Sequence, residues 1–375
     1  MKTIAIVVGT RPEAIKLSPV ILEINKYPEF FKTVVVSTGQ HRHMTRNIFS
    51  FFGLEPDIDL DIMSENQTLL GLTVHALSAL GRAFESVTPD AVVVQGDTTT
   101  AMVASLCAFY MGIRVIHVEA GLRTHNIHSP FPEEFNRALI SIVGEFHFPP
   151  TEQAAEQLLA SRVAPEKILI TGNTGIDALR IAVERLDGID FEENASLKAI
   201  LLGCIGKKII LVTGHRRESF GAGLENICHA IRSIVDAEES AIVVYPVHLN
   251  PNVREPVGRL LGNHPRIILI EPLDYAPFVF LLKQSYIVLT DSGGIQEEAP
   301  FLGKPVLVMR EVTERPEGIQ AGAAMLVGTH SNQIVEQTLR LFNDSTFYSS
   351  MAQKRVVYGD GFAATRIVET LKSVF

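Results

Sequence analysis

The segment Leu289-Thr-Asp-Ser-Gly-Gly-Ile-Gln-Glu-Glu-Ala-Pro300 decides the fold, because an apolar strand, Tyr286–Thr290, runs through Ser292-Gly-Gly294 directly into a helix. Two adjacent glycines let the backbone approach an anion closely, and the N–H groups and dipole of the new helix face its negative charge. Glu298 follows Gly294 by one helical turn, within reach of hydroxyls on a phosphate-bearing ligand such as a ribose. The segment therefore predicts a phosphate site, with a plain strand-to-helix turn as the alternative.

Length and composition limit the class of protein. The chain has 375 residues, more than one hydrophobic core usually serves, so two domains are expected. The hydrophobic fraction of 46% and the charged fraction of 20% are ordinary for a globular enzyme. A formal net charge of −9 argues against nucleic acid or an anionic membrane as the main partner, so any phosphate site must be local.

Cysteine spacing and apolar runs bear on the location of the protein. Cys107, Cys204 and Cys228 stand far apart, which is typical of reduced, mostly buried thiols in a cytoplasmic protein. The apolar run at the N-terminus is interrupted by Arg11, too early for a signal peptide. The longest apolar stretch, 101–113, is too short to span a bilayer. We therefore expect neither export nor membrane insertion.

Short apolar runs alternate with amphipathic segments along the chain, a pattern typical of parallel sheets wrapped by helices. In the first half, strands are predicted at Thr3–Val8, Thr33–Ser37, Ala91–Gln95, Val115–Val118, Phe146–Phe148 and Ile168–Thr171. Helices are predicted there at Ala14–Lys26, Thr45–Phe52, Leu69–Val87, Thr99–Tyr110, Glu133–Val143 and Ala154–Ser161. Strands in the second half are predicted near Ile209–Thr213, Ile242–Pro246, Ile267–Ile270, Ile287–Thr290 and Val306–Met309.

A charged and weakly patterned stretch, Glu184–Lys208, separates the two series of strands. We place the domain boundary a little before it, near Gly172, which gives an N-terminal domain over 1–171 and a second domain over 172–360. Doubly wound domains bind ligands where the carboxyl ends of their strands converge. The polar motifs of this chain fall on loops of that kind.

Two cations stand near the first strand-to-helix junction, Gly9-Thr-Arg-Pro-Glu13. Pro12 suits the first turn of a helix, so Arg11 and Lys16 project near the helix start, where positive charge opposes the helix dipole. This placement indicates an anionic ligand. A pair of solvated charges is the alternative.

Two carboxylates follow neighbouring strands of the first half. Asp97 follows one apolar strand and Glu119 follows the next, which favours a general acid/base pair. Asp97 could instead cap the helix that it precedes. Further along, Glu133 and Arg137 stand four residues apart, a spacing that is most often a surface ion pair.

The second half carries histidines and an arginine on comparable loops. Thr213-Gly-His-Arg-Arg-Glu-Ser219 follows its first strand, and His215 there could donate to a phosphate or shuttle a proton, whereas a loop histidine without such neighbours is usually incidental. His248 lies on the loop after the next strand. Arg315 follows the strand after the Gly-Gly helix.

Several signatures of cofactor and metal sites are missing from the sequence. No Gly-x-Gly-x-x-Gly follows the first strand, so no dinucleotide cofactor is expected. Asp57-Ile-Asp-Leu-Asp61 alternates acids with apolar residues, which fits a half-exposed strand or turn better than a metal site. The pairs His41/His43 and His125/His128 have no partner cysteine or Glu-x-x-His helix. We therefore predict no metal and no cofactor.

These motifs together resemble those of the bacterial non-hydrolysing UDP-N-acetylglucosamine 2-epimerases, over essentially the whole chain. The resemblance rests on Gly9-Thr-Arg-Pro-Glu-Ala-Ile-Lys16, Gln40-His-Arg42, Gly96-Asp-Thr-Thr-Thr100, Val118-Glu-Ala-Gly-Leu-Arg123, Pro132-Glu-Glu134 with Asn136-Arg137, Thr171-Gly-Asn-Thr174, Gly214-His-Arg-Arg-Glu-Ser219, Tyr245-Pro-Val-His-Leu-Asn-Pro251, Asp291-Ser-Gly-Gly-Ile-Gln-Glu-Glu-Ala299 and Glu314-Arg-Pro-Glu317. Such a set in one order is a highly specific signal.

The resemblance implies an α/β fold of the glycosyltransferase-B type, in which two Rossmann-like domains close on a nucleotide sugar in a central cleft. The final helix, about Ala363–Val374, would complete the first domain over about 361–375. The resemblance also implies a homodimer and an isomerase that converts UDP-N-acetylglucosamine to UDP-N-acetylmannosamine. Precursors for surface polysaccharides are the candidate use.

The implied chemistry suits the residues. C2 of the sugar is not next to a carbonyl, so direct deprotonation would be prohibitively hard. Expelling UDP first gives C1 oxocarbenium character and acidifies the C2 proton, which a carboxylate can remove to leave a 2-acetamidoglucal. The diphosphate leaving group needs cations and helix N-termini, and the intermediate must stay in a closed, dry site.

By position, the resemblance implies acid/base roles for Asp97, Glu119 and Glu133, with His215 at the diphosphate. It leaves open which carboxylate acts on which face of the sugar. Substrate binding is implied for Arg11, Lys16, Arg137, Phe278 beside the uracil, Ser292, Gly293, Gly294, Glu298 at the ribose, and Arg315. A second, activating UDP-N-acetylglucosamine site is implied at Gln40, His43, Arg216 and His248.

The sequence departs from the family pattern at two places. His43 occupies a position where Glu or Gln commonly follows Gln-His-Arg, which puts activation in doubt. The loop Thr124–Ser129 also differs from the family, so a preference for a modified sugar is an open alternative.

Three other functions compete with this interpretation. They are a hydrolysing epimerase, a retaining glycosyltransferase and a nucleotide-sugar sensor. A sensor would give Asp97, Glu119 and Glu133 no reason to cluster.

Overall fold

The computed structural model describes residues 1–40, 42–63, 67–186 and 200–375. They form two compact units, one of Met1–Ile181 with Tyr358–Phe375 and the other of Ala182–Val357. The division falls inside one helix, and the chain returns to the first unit near its C-terminus. Most of the charged stretch between the two series of strands, 187–199, lies outside the described residues. The domain boundary near Gly172 stays a prediction.

The first unit contains a parallel sheet with helices between its strands, the helices being numbered along the whole chain. Its strands are Lys2–Val8 (β1), Phe31–Ser37 (β2), Ile58–Asp59 (β3), Ala91–Gln95 (β4), Arg114–Val118 (β5) and Phe146–Phe148 (β6). Its helices are Arg11–Ile24 (α1), Arg42–Phe52 (α2), Leu69–Val87 (α3), Thr99–Tyr110 (α4), Glu133–Val143 (α5), Glu152–Ala160 (α6), the first part of Thr174–Leu186 (α7) and Ala363–Val374 (α15). The strand order is β3-β2-β1-β4-β5-β6.

The central strands of this sheet are apolar on both faces. Residues 4–8 of β1 and 91–94 of β4 are fully buried, as expected for a sheet that helices cover on both sides. β1 pairs in parallel with both β2 and β4. The strand order thus changes direction at β1, and a sheet of this kind offers a ligand site at that switch point, beside the carboxyl ends of β1 and β4.

The C-terminal helix α15 is tied to the first unit by one buried carboxylate. Asp177 in α7 accepts hydrogen bonds from the backbone N–H groups of Ala363, at 3.1 Å, and Ala364, at 2.8 Å. These are orphan donors at the start of α15, so the carboxylate acts as a cap supplied by a distant residue. Burial raises the pKa of Asp177 to about 6.

The second unit repeats the design with a second parallel sheet. Its strands are Lys208–Thr213 (β7), Ala241–Pro246 (β8), Ile267–Ile270 (β9), Ile287–Thr290 (β10), Val306–Val308 (β11) and Ala324–Leu326 (β12), in the order β12-β11-β10-β7-β8-β9. Its helices include Ala222–Ala237 (α8), Pro251–Leu261 (α9), Tyr275–Gln284 (α10), Gly293–Phe301 (α11), Pro316–Gln320 (α12), Ser331–Asn343 (α13) and Ser345–Met351 (α14). The predicted fold class, two Rossmann-like doubly wound domains, is confirmed.

One predicted strand is wrong. Of the segment 168–171, only Ile168 forms a bridge, with His147. The apolar residues Leu169 and Ile170 are 42% and 43% exposed, so their hydrophobicity does not reflect burial in the sheet. The short strand β3 lies within Asp57–Asp61, which the sequence analysis interpreted as a half-exposed strand or turn, whereas β12 was not predicted.

Two general features complete the fold. Cys107, Cys204 and Cys228 are all buried and form no disulfide with one another, as their spacing predicted. None of the helices in the described ranges combines the length and the apolar character needed to cross a bilayer.

Candidate active site

Three carboxylates come together in the first unit, at the carboxyl ends of β4 and β5. Asp97 follows β4, Glu119 directly follows β5, and Glu133 is the first residue of α5. Because β4 and β5 are adjacent and parallel, their carboxyl ends meet at one edge of the sheet. Burial raises the pKa of Asp97, Arg137 opposes this rise, and the charges of Glu119 and Glu133 add to it. The three acids therefore share one electrostatic environment.

Asp97 is bound by α5 and does not cap α4. Its carboxylate forms an ion pair with Arg137, and its backbone carbonyl accepts a hydrogen bond from Asn136 Nδ2 at 2.9 Å. The cap of α4 is Thr98, whose hydroxyl accepts a hydrogen bond from Ala101 N at 3.0 Å. The alternative role of Asp97 as a helix cap is therefore wrong, because the next residue already fills it.

Glu119 is clamped between a cation and an amide. Lys16 Nζ lies 2.6 Å from its Oε1, and Gln95 Nε2 donates to its Oε2. The backbone φ of Glu119 is +56°, in the left-handed region that a residue with a Cβ rarely adopts, at a cost of about 1–3 kcal/mol. Gln95 was not predicted from the sequence as a site residue, although a polar side chain at the end of the apolar strand β4 was the available signal.

Glu133 and Arg137 do not form the surface ion pair that their spacing suggested. Arg137 is only 4% exposed and contacts Asp97 and, at 3.5 Å, Glu134. Glu134 is fully buried and also accepts a hydrogen bond from Arg123 Nε at 2.8 Å. Burial alone would raise the pKa of Glu134, but its backbone and arginine donors outweigh burial and lower it. Glu133 is half-buried and remains beside Asp97.

A buried glutamate links the loop after β1 to the loop after β4. Glu13 in α1 accepts hydrogen bonds from Thr10 N at 2.7 Å and from Thr98 Oγ1 at 2.6 Å. Burial raises its pKa, against these hydrogen bonds. Thr10 caps α1, so Arg11 begins the helix and is half-buried there. Glu13 was not singled out from the sequence, although an acid three residues after a helix-capping threonine was a usable signal.

In the second unit, the Ser292-Gly-Gly294 turn opens α11 as predicted. Ser292 is the cap residue, and its backbone N–H donates to Thr290 Oγ1 at 2.9 Å. A Cβ added to Gly294 would meet no atom within 4 Å, whereas one added to Gly293 would lie 3.2 Å from Cζ of Arg315. The turn therefore packs against a guanidinium at Gly293 and faces open space at Gly294, where an anion could approach the backbone.

Arg315 is held beside this turn by acidic residues. Its Nε donates to Glu297 Oε1 at 2.8 Å, and one terminal nitrogen lies 3.3 Å from Glu314 Oε2. Its side chain is 14% exposed, so the guanidinium is positioned before any ligand arrives. Glu297 was not predicted from the sequence as a site residue, whereas its neighbour Glu298 was. Glu298 is half-buried on α11.

His215 lies on a loop that the buried residue Asp291 organises. The Asp291 carboxylate accepts hydrogen bonds from His215 N at 2.7 Å and Arg216 N at 2.8 Å, and lies 3.5 Å from the imidazole Nδ1 of His215. The His215 ring stacks on His248 with centroids 5.3 Å apart. Burial lowers the pKa of His215, Asp291 raises it, and His248 lowers it further. An acid at the end of β10 was the signal that could have identified Asp291.

The residues of the implied activating site are placed in two groups, one in each unit. In the first, Gln40 accepts a hydrogen bond from Thr100 Oγ1 at 3.1 Å, and His43 is exposed on α2. In the second, Arg216 and His248 adjoin His215. His41, part of the same sequence motif, lies outside the described residues.

The remaining predicted positions are less informative. Phe278 is half-buried on α10 and packs against the core of the second unit. The carboxylates of Asp59 and Asp61 are bound by Arg42 at 3.0 Å each, so these acids are already ion-paired. In the described part of the chain, no three His, Cys, Asp or Glu side chains are grouped as a metal site.

Each unit thus offers one kind of chemistry. The first carries clustered carboxylates with a raised Asp97 pKa, suited to moving protons. The second carries a glycine turn, a fixed arginine and a histidine, suited to an anion such as a diphosphate.

Comparisons with known proteins identify a family. A family profile described as UDP-N-acetylglucosamine 2-epimerase matches residues 23–372. The UDP-N-acetylglucosamine 2-epimerase of Escherichia coli strain K12 is 50% identical over 370 residues, covering 98% of this chain and 97% of that protein. The crystal structure of UDP-GlcNAc 2-epimerase from Neisseria meningitidis bound to UDP-GlcNAc is similar with a TM-score of 0.92 and 46% identity, covering 100% of both chains. A complex of the Methanocaldococcus jannaschii enzyme with UDP-GlcNAc and UDP gives a TM-score of 0.82 and 31% identity, covering 99% of each chain.

Proposed function

The chain belongs to the UDP-N-acetylglucosamine 2-epimerase family and is an isomerase, and from this premise we propose that it interconverts UDP-N-acetylglucosamine and UDP-N-acetylmannosamine by eliminating and re-adding UDP. In the first step the bond from C1 to the diphosphate oxygen breaks, UDP leaves with the electron pair, and a carboxylate takes the C2 proton. In the second step a proton returns to the opposite face of C2 of the 2-acetamidoglucal while UDP adds back to C1.

The clustering of Asp97, Glu119 and Glu133 is the observation that carries this proposal. Inversion at C2 needs one group that removes a proton and another that delivers one to the opposite face. Burial and neighbouring charge raise the pKa of Asp97, while Lys16 binds the carboxylate of Glu119 directly. Two acids in such different surroundings are suited to opposite roles in proton transfer.

Binding of the nucleotide diphosphate is assigned to the second unit. Ser292, Gly293 and Gly294 present the N-terminus of α11, and Arg315 and His215 add donors for the charge that develops on departing UDP. The open space at Gly294 supports this assignment. Glu298 is proposed to bind the ribose and Phe278 to lie beside the uracil. In the first unit, Arg11, Lys16 and Arg137 are proposed as substrate-binding residues.

We propose three further properties from the resemblance to the family. They are a homodimer, a role in supplying precursors of surface polysaccharides, and a second UDP-N-acetylglucosamine site at Gln40, His43, Arg216 and His248. The stacked rings of His215 and His248 support the last of these, since they would join the activating site to a catalytic side chain. The cytoplasmic location expected from the cysteines stays a prediction.

Proton NMR in deuterated water tests the proposed reaction. Purified protein is incubated with UDP-N-acetylglucosamine without added metal or NAD, and the C1 and C2 signals of the sugar are followed. We expect UDP-N-acetylmannosamine with deuterium at C2. Free N-acetylmannosamine with UDP would instead identify the hydrolysing reaction, and an unchanged spectrum would contradict both.

A pair of variants links the reaction to the acid cluster. Asp97→Asn should abolish measurable conversion, because it removes the carboxylate whose pKa is raised. Asp90→Asn is the matched control, since Asp90 stands before the other end of β4 and binds Lys2 at 2.9 Å. Equal activity of the two variants would contradict an acid/base role for Asp97.

A further inference from the structure

The peptide that leads into Asp97 is held by a buried histidine in the neighbouring strand. His117 in β5 is 1% exposed, and its Nε2 lies 2.8 Å from the carbonyl oxygen of Gly96. A carbonyl can only accept, so Nε2 carries the proton. Burial lowers the pKa of His117 to about 4, which keeps the ring neutral and the tautomer fixed near neutral pH.

This hydrogen bond is one of several that fix the approach to Asp97. Gly96 has φ +68° and donates its own N–H to the carbonyl of Val118 at 3.0 Å. The carbonyl of Asp97 is bound by Asn136 at 2.9 Å. The carbonyls on both sides of the Asp97 Cα are thus bound, which holds the backbone there, while Arg137 binds the carboxylate itself.

The second unit contains an equivalent contact. Tyr245 in β8 is fully buried and donates its hydroxyl hydrogen to the carbonyl of Gly214 at 2.9 Å, and Gly214 directly precedes His215. The registers also correspond. His117 pairs with Val94, which lies two residues before Gly96. Val244 pairs with Leu211, so the next residue, Tyr245, stands level with Val212, two residues before Gly214.

Both sheets thus place a buried donor at the same point, although one donor is an imidazole and the other a phenol. What the two contacts share is a hydrogen bond to the carbonyl of the glycine before a proposed site residue. A role in core packing alone would not require a donor there, since an apolar side chain packs as well.

We propose that His117 is a positioning residue for Asp97, and that its neutral Nε2–H holds the Gly96 carbonyl so that the Asp97 carboxylate meets C2 of the sugar in reactive geometry. This role rests on the proposed epimerisation. His117 does not itself touch the substrate. Its loss should therefore slow the chemical step and leave binding of the nucleotide unchanged.

Three variants test the role of His117. His117→Leu removes the donor at similar volume, and His117→Gln keeps an N–H donor at comparable reach. His147→Leu is the matched control, because His147 is also fully buried and its ring meets that of His117 edge to face at 5.8 Å, on the next strand. For each, kcat and KM for UDP-N-acetylglucosamine, deuterium exchange at C2 by NMR, and UDP affinity by calorimetry are measured.

We expect His117→Leu to lower kcat and the C2 exchange rate roughly 10- to 100-fold, with KM and UDP affinity within about twofold of the wild type. His117→Gln should recover most of kcat, and His147→Leu should stay within about threefold of the wild type. If His117→Leu and His147→Leu lose equal activity, or if His117→Gln is as slow as His117→Leu, the proposal is overturned.

Two further results separate this inference from its premises. A wild-type protein that binds UDP but exchanges no C2 proton would overturn the proposed function, and the role of His117 with it. If His117→Leu does not fold, the comparison of His117→Gln with His117→Asn decides, because asparagine is too short to reach the Gly96 carbonyl. Equal activity of that pair would overturn the role of His117 while leaving the epimerase reaction intact.

Discussion

The ammonium nitrogen of Lys16 lies 2.6 Å from Oε1 of Glu119, although 103 residues separate the two in the chain. The contact ties α1 to the end of β5. It also explains how a residue with a left-handed backbone is kept in place, since the ion pair and Gln95 both bind its carboxylate. The cation that seemed to await an anionic ligand in the sequence thus has a protein carboxylate as a partner.

Replacing Lys16 should impair catalysis more than folding. Lys16→Met leaves the Glu119 carboxylate, which is 12% exposed, bound by Gln95 but without its cation, so its position and charge are less well defined. We expect kcat to fall by about 100-fold, within the range for disturbing a general acid or base. Steady-state kinetics measure the loss. Lys26→Met, just after the same helix, removes only a pair with Glu23 and should leave kcat unchanged; a similar loss in both would argue against the role of Lys16.

Replacing Arg137 should move the pH dependence of the reaction. Arg137 lowers a pKa of Asp97 that burial raises, so in Arg137→Met the pKa of Asp97 rises further. The limb of the pH–kcat profile that reports Asp97 should shift to higher pH, whether Asp97 acts as acid or as base. Arg123→Met is the control, because Arg123 pairs with Glu134 and not with Asp97. A profile that does not move in Arg137→Met would mean that Asp97 does not set either limb.

A methyl group at Gly293 should weaken binding of UDP. The added Cβ would lie 3.2 Å from Cζ of Arg315, and Glu297 and Glu314 hold that guanidinium in place, so the arginine must shift. We expect Gly293→Ala to raise the Kd for UDP about tenfold in isothermal calorimetry, which corresponds to about 1.4 kcal/mol. Gly258→Ala, in helix α9 where a Cβ meets nothing within 4 Å, should bind UDP like the wild type. Equal Kd values for the wild type, Gly293→Ala and Gly258→Ala would show that Arg315 does not bind the diphosphate.

Acid should destabilise the first unit through its buried histidines. Burial, with the nearby charges of His117 and Lys167, lowers the pKa of His147 from 6.5 to about 3. Because this pKa is lowered, the unfolded chain takes up the proton at a higher pH than the folded chain as the pH falls. The free energy of unfolding is therefore unaffected by His147 above pH 6.5 and decreases as the pH falls from 6.5 towards 3. At pH 5 the loss from His147 amounts to about 2 kcal/mol.

The variant His147→Leu isolates that effect. Lowering the pH from 7.5 to 5.0 should cost the variant about 2 kcal/mol less than the wild type, because leucine binds no proton. Hydrogen exchange of the β4–β6 amides reads the stability of the first unit without interference from the second. Identical losses in the two proteins would show that His147 is already protonated, or hydrated, in the folded state.

Much of the fold was determined by the sequence itself. Runs such as Ala91–Gln95 and Ile287–Thr290 occur as strands at the predicted residues, because parallel strands buried on both faces must be continuously apolar. The Ser292-Gly-Gly294 turn was equally recognisable, since a strand, two glycines and a helix are adjacent in the chain. Carboxylates such as Asp97 and Glu119 could be selected because each follows a strand whose carboxyl end points to the ligand side of the sheet.

The tertiary structure decided which side chain binds which. The sequence spacing paired Arg137 with Glu133 and suggested that Asp97 caps α4. In the structure, Arg137 of α5 instead binds Asp97, which lies in the loop before α4. Spacing reports neighbours within one helix, whereas burial forces a charge to find a partner wherever the packed elements bring one. Glu13, Gln95 and Asp291 each carried a local signal in the sequence, but their contacts join segments that end or follow different strands, and only the packed structure shows those contacts. The sequence fixes which residues reach the edge of each sheet, and packing alone determines their partners there.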